Sequence, residues 1–246
     1  MNPMRKRICL AAAALLAVTA PSAGVSTPDL LVAHWKFNET SSPFVSDHSG
    51  RGNHAMTGYT SEIGGLFNNA FTFDGSRSFV EAPDLDDDLD LTDFTIEGWF
   101  RFNSSSGPYG LVTKGGNGED SFVNDNYGLG VIPDGRLACG FEVENSGAEE
   151  TVLSAGAVPA GRWVHLACTY DSATGVMKLY QDGAVVGMHV AGNRQPQRQD
   201  QSVYIGNNRR INNQTLNGAV DELRLWKAAL TDAEILDLHL EGQNKK

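Results

Sequence analysis

The feature that most constrains this chain is its punctuation. Short apolar or alternating runs recur along most of the 246 residues, each bounded by Gly, Asn, Asp, Ser or Pro. They read as strands at Leu31 to Phe37, Ala70 to Phe73, Phe79 to Ala82, Phe94 to Phe102, Tyr109 to Thr113, Tyr127 to Ile132 and Arg136 to Glu144. Others follow at Thr151 to Ser154, Trp163 to Asp171, Val176 to Gln181, Ala184 to Val190, Val203 to Gly206 and Gly218 to Trp226. Runs of this length with a two-residue period bury one sheet face and cannot hold a helical stripe. Asp134-Gly135 and Asp182-Gly183 each separate two such runs, and Asp-Gly supplies the left-handed backbone that a tight hairpin needs. The pattern predicts an all-β, two-sheet antiparallel sandwich. One segment departs from it: Thr231-Asp232-Ala233-Glu234, with Ile235, Leu236, Leu238 and Leu240 behind, spells a capping box opening a short C-terminal helix.

The first residues have a different character. Arg5, Lys6 and Arg7 precede an apolar stretch from Leu10 to Val18, and small residues follow at Ala20, Ser22, Ala23 and Gly24. Residues 1–24 are expected to be a secretory signal, leaving 25–246 as a single domain that is secreted, extracellular or periplasmic. Loss of that leader would take the net charge from −11 to −14. An acidic chain of this kind lacks the concentrated Lys/Arg surface that nucleic acid requires. No later apolar run approaches the length of a membrane span, so membrane insertion is not expected. Of three cysteines, Cys9 lies in the leader. Cys139 and Cys168 remain in strand-like segments, either paired in an oxidising compartment or separately buried as thiols.

Several segments carry a resemblance. They are His34-Trp35-Lys36-Phe37-Asn38-Glu39, Asp47-His48-Ser49-Gly50-Arg51-Gly52-Asn53, Phe73-Asp74-Gly75 with Phe79-Val80, and Phe94-Thr95-Ile96-Glu97-Gly98-Trp99. Gly161-Arg162-Trp163-Val164-His165, Leu179-Tyr180-Gln181-Asp182-Gly183, Tyr204-Ile205-Gly206 and Gly218-Ala219-Val220-Asp221-Glu222-Leu223-Arg224-Leu225-Trp226 follow in order. Together they resemble the laminin-G-like jelly roll of the concanavalin A-like lectin/glucanase superfamily. That resemblance implies the sandwich topology. It does not fix a function, because one fold hosts lectin-like modules, adhesion domains and hydrolases.

Jelly-roll glucanases resemble one another in a Glu-x-Asp-x-x-Glu strand that sets carboxylates on one face, and no such string occurs here. Gly-x-Ser-x-Gly, His-Glu-x-x-His and a phosphate loop are also missing. For a metal, the loop Asp47, Ser49, Gly50 and Asn53 has the hard oxygens and glycine turns that calcium favours. The resemblance makes Asp221 the second carboxylate of a structural Ca2+ site. An Asx turn at Asp47 and a buried, amide-bonded Asp221 form the other reading. The run Asp84, Asp86, Asp87, Asp88, Asp90 and Asp93 fails as an EF-hand, because Leu91 stands where that loop needs Gly, and it reads as a solvated acidic turn, with weak cation binding as the other reading.

For a ligand, all four Trp (Trp35, Trp99, Trp163 and Trp226) fall in framework strands. Candidates therefore shift to loops. Tyr109, Lys114, Asn117, Asp120, Asn124 and Tyr127 flank or fill one Gly/Asn-rich loop, and Arg209 and Arg210 belong to a basic island in an acidic chain. The expectation is a secreted, non-catalytic module binding a glycan or cell-surface polysaccharide, with structural calcium. A small polysaccharide-degrading enzyme and an adhesion module with a protein partner are the alternatives.

Overall fold

The computed structural model describes residues 29–115, 125–198, 200–208 and 214–244. The expected leader, residues 1–24, lies outside them. In chain order the strands are β1 (Leu31–Trp35), β2 (Phe44–Val45), β3 (Ala55–Gly58), β4 (Ser61–Gly64), β5 (Asn69–Asp74), β6 (Phe79–Ala82), β7 (Phe94–Phe102) and β8 (Tyr109–Gly115). Then come β9 (Asp125–Val131), β10 (Arg136–Glu142), β11 (Glu149–Ala157), β12 (Trp163–Asp171), β13 (Val176–Gln181), β14 (Ala184–Val190), β15 (Val203–Ile205) and β16 (Asn217–Trp226), followed by helix α1 (Asp232–Gln243). They form two eight-stranded antiparallel sheets. The first runs β14-β13-β12-β7-β16-β5-β4, with β1 pairing the second half of β16; the other runs β11-β10-β9-β8-β15-β6-β3-β2. This is a jelly-roll sandwich with one short C-terminal helix. Among the described residues, no helix is long and apolar enough to cross a membrane.

Alternation decides what each sheet buries. Phe94, Ile96, Phe100 and Phe102 of β7, with Val164, Leu166, Cys168 and Tyr170 of β12, point between the sheets. They meet Tyr127, Leu129 and Val131 of β9 and Leu137, Cys139 and Phe141 of β10. The rings of Phe141 and Tyr170 pack across this gap at 4.5 Å between centroids. A disulfide joins Cys139 to Cys168 and so ties one sheet to the other through the core. On β16 the register shifts between Asp221 and Arg224, where Glu222 takes a left-handed φ of 50°. A bulge of this kind adds a residue without flipping the rest of the strand. Val220, Leu223 and Leu225 thus all reach the core cluster, while Asp221, Glu222 and Arg224 stay out of it.

The turn chemistry follows the sequence. Asp182 and Gly183 sit at φ 51° and 79°, the paired left-handed residues of a two-residue hairpin loop joining β13 to β14. Thr231 accepts the Glu234 amide while the Glu234 side chain takes the Thr231 N–H, closing the capping box of α1. The helix lays Ile235 and Leu238 against Tyr180, Trp226 and Leu230 on the outside of the first sheet. His239 stacks on Trp99 at 5.5 Å, and Gly242 comes so close that an added Cβ would stand 2.2 Å from the Trp99 ring. The two edge strands at one side of the sandwich, β11 and β14, face each other. His189 Nε2 lies 2.8 Å from Glu150 Oε2, and Gly187 admits the Leu153 carbonyl where a Cβ would be 2.5 Å away.

Candidate functional site

The outer face of the second sheet can be built from register alone. Val80, Ala82, Val203 and Ile205 belong to the core, so their strand neighbours Phe79, Glu81 and Tyr204 point the other way. Cross-strand pairing then runs Phe44↔Met56, Met56↔Glu81, Glu81↔Tyr204 and Tyr204↔Thr113. The same row continues through Gly128 and Gly140 to Thr151, so it crosses all eight strands. At the β2–β3–β6–β15 end it carries exposed apolar surface: Phe44 is 59% and Met56 50% accessible. The Phe79 ring lies over Gly58, where an added Cβ would stand 2.5 Å from it, so glycine here lets the ring lie flat on the sheet. Beside it, Tyr59 is 65% accessible and Arg77 stacks on its ring at 4.4 Å. Tyr204 donates its hydroxyl hydrogen to Glu81 Oε1 at 2.9 Å, fixing a phenol ring and a carboxylate side by side. Apolar rings next to an oriented acid–hydroxyl pair form a surface that can take a ring-shaped polar ligand by its apolar face and by its hydroxyls.

The outer face of the first sheet is different, because α1 covers it. Glu97, fully buried, receives Arg224 at 3.1 Å and His165 at 3.0 Å on its two oxygens. Arg224 also reaches Glu222 at 3.2 Å and Glu241 of the helix at 3.6 Å, and Glu222 meets His34 at 2.6 Å. Burial alone would raise the Glu97 carboxyl, but the Arg224 guanidinium and the His165 hydrogen bond hold it below the usual carboxylate range. Burial likewise lowers the His34 imidazole despite its bond to Glu222. These carboxylates are committed to a closed network that docks a helix. Beyond the helix N-terminus lies an open groove of about 650 Å³ lined by Thr169, Lys178, Tyr180, Met188, Leu230 and Asp232. Its polar floor is also engaged, since Asp232 accepts from Lys178 at 2.7 Å and Tyr180 at 2.8 Å.

The residues singled out in the sequence fare unevenly. Tyr109, Lys114 and Tyr127 are buried; the inward phase of β8 and β9 turns them from the solvent that a flanking Gly/Asn loop suggested. They also sit at opposite ends of the sheet. Gly110 donates to the Gln214 carbonyl beside Tyr109 at one end of β8, whereas Lys114 pairs with Tyr127 at the other end. One small ligand therefore does not meet Tyr109 together with Lys114 and Tyr127. Asn117, Asp120, Asn124, Arg209 and Arg210 lie outside the described residues. Phe44, Met56, Phe79, Glu81 and Tyr204 form a candidate surface that the sequence pattern does not single out. The alternation Phe79-Val80-Glu81-Ala82 and Val203-Tyr204-Ile205 held the signal, but it names the outward face only once the core partners are known.

Asp47 Oδ1 accepts the amides of His34 and Ser49, and Oδ2 accepts those of Gly52 and Asn53 together with the Ser49 hydroxyl. Burial would raise this carboxyl, yet these bonds, the Ser49 amide foremost, hold it below its ordinary value. Ser49 Oγ and Asn53 Nδ2 both turn to the Val32 carbonyl, and Gly50 takes a φ of 88°. Asp221 does not join this set: its Oδ2 accepts the amides of Leu66 and Phe67. Both Asp47 oxygens are taken up by N–H and O–H donors, whereas Asp221, whose Oδ1 is buried with no hydrogen-bond partner among the described residues, is held by the Leu66 and Phe67 amides instead; Asp47, Ser49, Gly50, Asn53 and Asp221 therefore do not fit a shared calcium site. Elsewhere, Asp84, Asp87 and Asp90 bring carboxylate oxygens within 4.8 Å of one another, a group that could hold a metal ion.

A laminin G-type family model, described as concanavalin A-like lectin/glucanases superfamily, matches residues 74–236. Mouse (Mus musculus) pappalysin-1 is 37% identical over 86 residues, which is 33% of this chain and 5% of that protein's length. Domain 4 of AbnA, a GH43 extracellular arabinanase from Geobacillus stearothermophilus solved with arabinotriose, superposes with a TM-score of 0.66 at 20% identity, over 85% of this chain and 98% of that one. The binding domain of botulinum neurotoxin DC in complex with SialylT gives 0.68 at 15% identity, over 88% of this chain and 52% of that one. At these identities the likeness is one of fold, and the chain spans about half the length of such toxin domains.

Proposed function

We propose that this chain, which belongs to the laminin G-type family of the concanavalin A-like lectin/glucanases superfamily, is a secreted, non-catalytic binding module for a glycan. The observation that carries the reading is the strip of exposed Phe44 and Met56 with half-buried Phe79 beside the Tyr204–Glu81 pair, on the sheet face that α1 leaves open. A sugar ring set on Phe79 and Met56 would bury its C–H face there and turn its hydroxyls toward Glu81. Neighbours on the same fold are described with arabinotriose, with SialylT and with synaptotagmin, which supports a glycan or protein partner as the class. The basic start and apolar run of residues 1–24 support export.

The test is a glycan array probed with the purified chain, followed by titration of the best ligand. Phe79→Ala and Tyr204→Ala should each weaken binding by about tenfold, the scale of one lost aromatic contact, with the near-ultraviolet circular dichroism unchanged. Binding that survives both substitutions would move the site elsewhere. An array without any bound glycan, beside capture of a defined extracellular protein through Phe44 and Met56, would replace the glycan with a protein partner.

A further inference from the structure

We infer that the Lys114 ammonium is the resident cation of the acidic turn between β6 and β7, and that this turn is built to work without a metal ion. Nζ lies 3.0 Å from Asp84 Oδ2 and makes a second, short contact with Asp90 Oδ1. Both the Lys114 and the Asp84 side chains are fully buried, and that of Asp90 nearly so. Position is imposed by the sheet: Lys114 pairs with Tyr127 on one side and Val203 on the other, at the end of β8. Leu89 and Leu91 bury themselves in the core on either side of Asp90, and the Leu89 amide donates to Asp84 Oδ1 at 3.3 Å. The Asp90 amide in turn bonds the Asp87 carbonyl, and Asp87 takes a φ of 59°.

Charge dictates the rest. A buried ammonium without a counter-charge is costly, and so are two carboxylates at this depth with nothing between them. Asp84 and Asp90 answer the first problem and Lys114 the second. A calcium ion shared by Asp84 and Asp90 would need oxygens at about 2.3–2.6 Å. An ion bridging Asp84 Oδ2 and Asp90 Oδ1, the pair that Nζ contacts, would stand in the space Nζ fills. Lysine and metal are therefore alternatives at one position, and the sequence supplies the lysine. Asp84 Oδ2 has no aligned hydrogen-bond donor among the described residues, so the ammonium's charge is what satisfies it.

The experiment follows thermal unfolding of the full chain and of Lys114→Met and Lys114→Gln, each in EDTA and in millimolar Ca2+, with isothermal titration of Ca2+ alone. The wild type should keep one Tm in both buffers. The two variants should melt lower in EDTA and regain about 5 °C or more in Ca2+, with new calorimetric binding that Asp87→Asn weakens. Should neither variant fold, combining Lys114→Met with Asp84→Asn and Asp90→Asn removes charge on both sides and should restore a folded, calcium-indifferent protein. A wild-type Tm that falls in EDTA and returns with Ca2+, with Asp87→Asn abolishing the response, would overturn the inference. So would Lys114 variants as stable as the wild type and silent to Ca2+, or a neutral triple variant that still fails to fold. None of these readouts depends on a glycan.

Discussion

Removing the Cys139–Cys168 bond tests how much of the stability resides in the unfolded chain rather than in native contacts. The bond closes a segment with a sequence separation of 29 and crosses between sheets from β10 to β12. In the chain-entropy description, closing a loop of that size removes enough freedom from the unfolded state to stabilise the fold by about 3.6 kcal/mol at 25 °C. For a domain of this size that corresponds to a Tm lower by roughly 7–14 °C in Cys139→Ala/Cys168→Ala. The assay is urea unfolding of the double variant and the wild type under non-reducing conditions, followed by fluorescence of the buried Trp35 and Trp99. A second signature separates the entropic cause from a packing defect. An unlinked unfolded chain exposes more surface, so the m-value should rise, whereas a cavity alone would leave it unchanged. A loss below about 1 kcal/mol with an unaltered m-value would refute the argument that this cross-link acts on the unfolded state.

Two other substitutions probe the face beneath α1. Burial pushes the Asp221 carboxyl up to about 7, so the folded chain keeps a proton that the unfolded chain releases; the Asp221 contribution, read as the wild-type profile minus that of Asp221→Asn in pH-dependent urea titrations, should fall by roughly 3–4 kcal/mol as pH rises from about 4 to 7 and level off above. A difference profile that rises over this interval would contradict the assignment. Glu97→Gln leaves Arg224 and His165 facing a neutral amide inside the sheet, and should cost about 3–5 kcal/mol in the same assay, with α1 the first segment to lose hydrogen-exchange protection.

Much of the architecture could be read from residue order, and the reasons are local. Asp182-Gly183 specifies a hairpin through two left-handed residues, and Thr231 with Glu234 specifies a helix start through reciprocal capping; neither depends on distant sequence. Phe94 to Phe102 announces itself as a strand by its length and its aromatic alternation. The pieces that escaped are those whose identity comes from their neighbours. Phe44–Val45 and Ser61–Gly64 are too short and too exposed to show a period, and become strands because Ala55–Gly58 and Asn69–Asp74 offer them partners. The site suffered in the same way. Lys114 sits next to a polar, glycine-rich loop and looks exposed until β8 is placed between β9 and β15. The Asp84–Asp93 run looks solvated until a lysine thirty residues away in sequence is found at its centre. Asp47 offered the composition of a metal ligand, but composition does not disclose that backbone amides already occupy its oxygens.

The meeting of β11 with β14 has a consequence for how this chain coexists with copies of itself. Unpaired strand edges are templates on which other chains can add and propagate into fibrils. Here the two long terminal strands screen one another, with Glu150 and His189 across the seam, and the remaining rims are formed by β2, β4 and β1, strands of two, four and five residues. A rim so short or so shielded gives an incoming chain little ladder to extend. At high concentration the molecule should therefore resist edge-to-edge stacking, and whatever adheres to it has to do so on a flat side, where side chains and not backbone choose the guest.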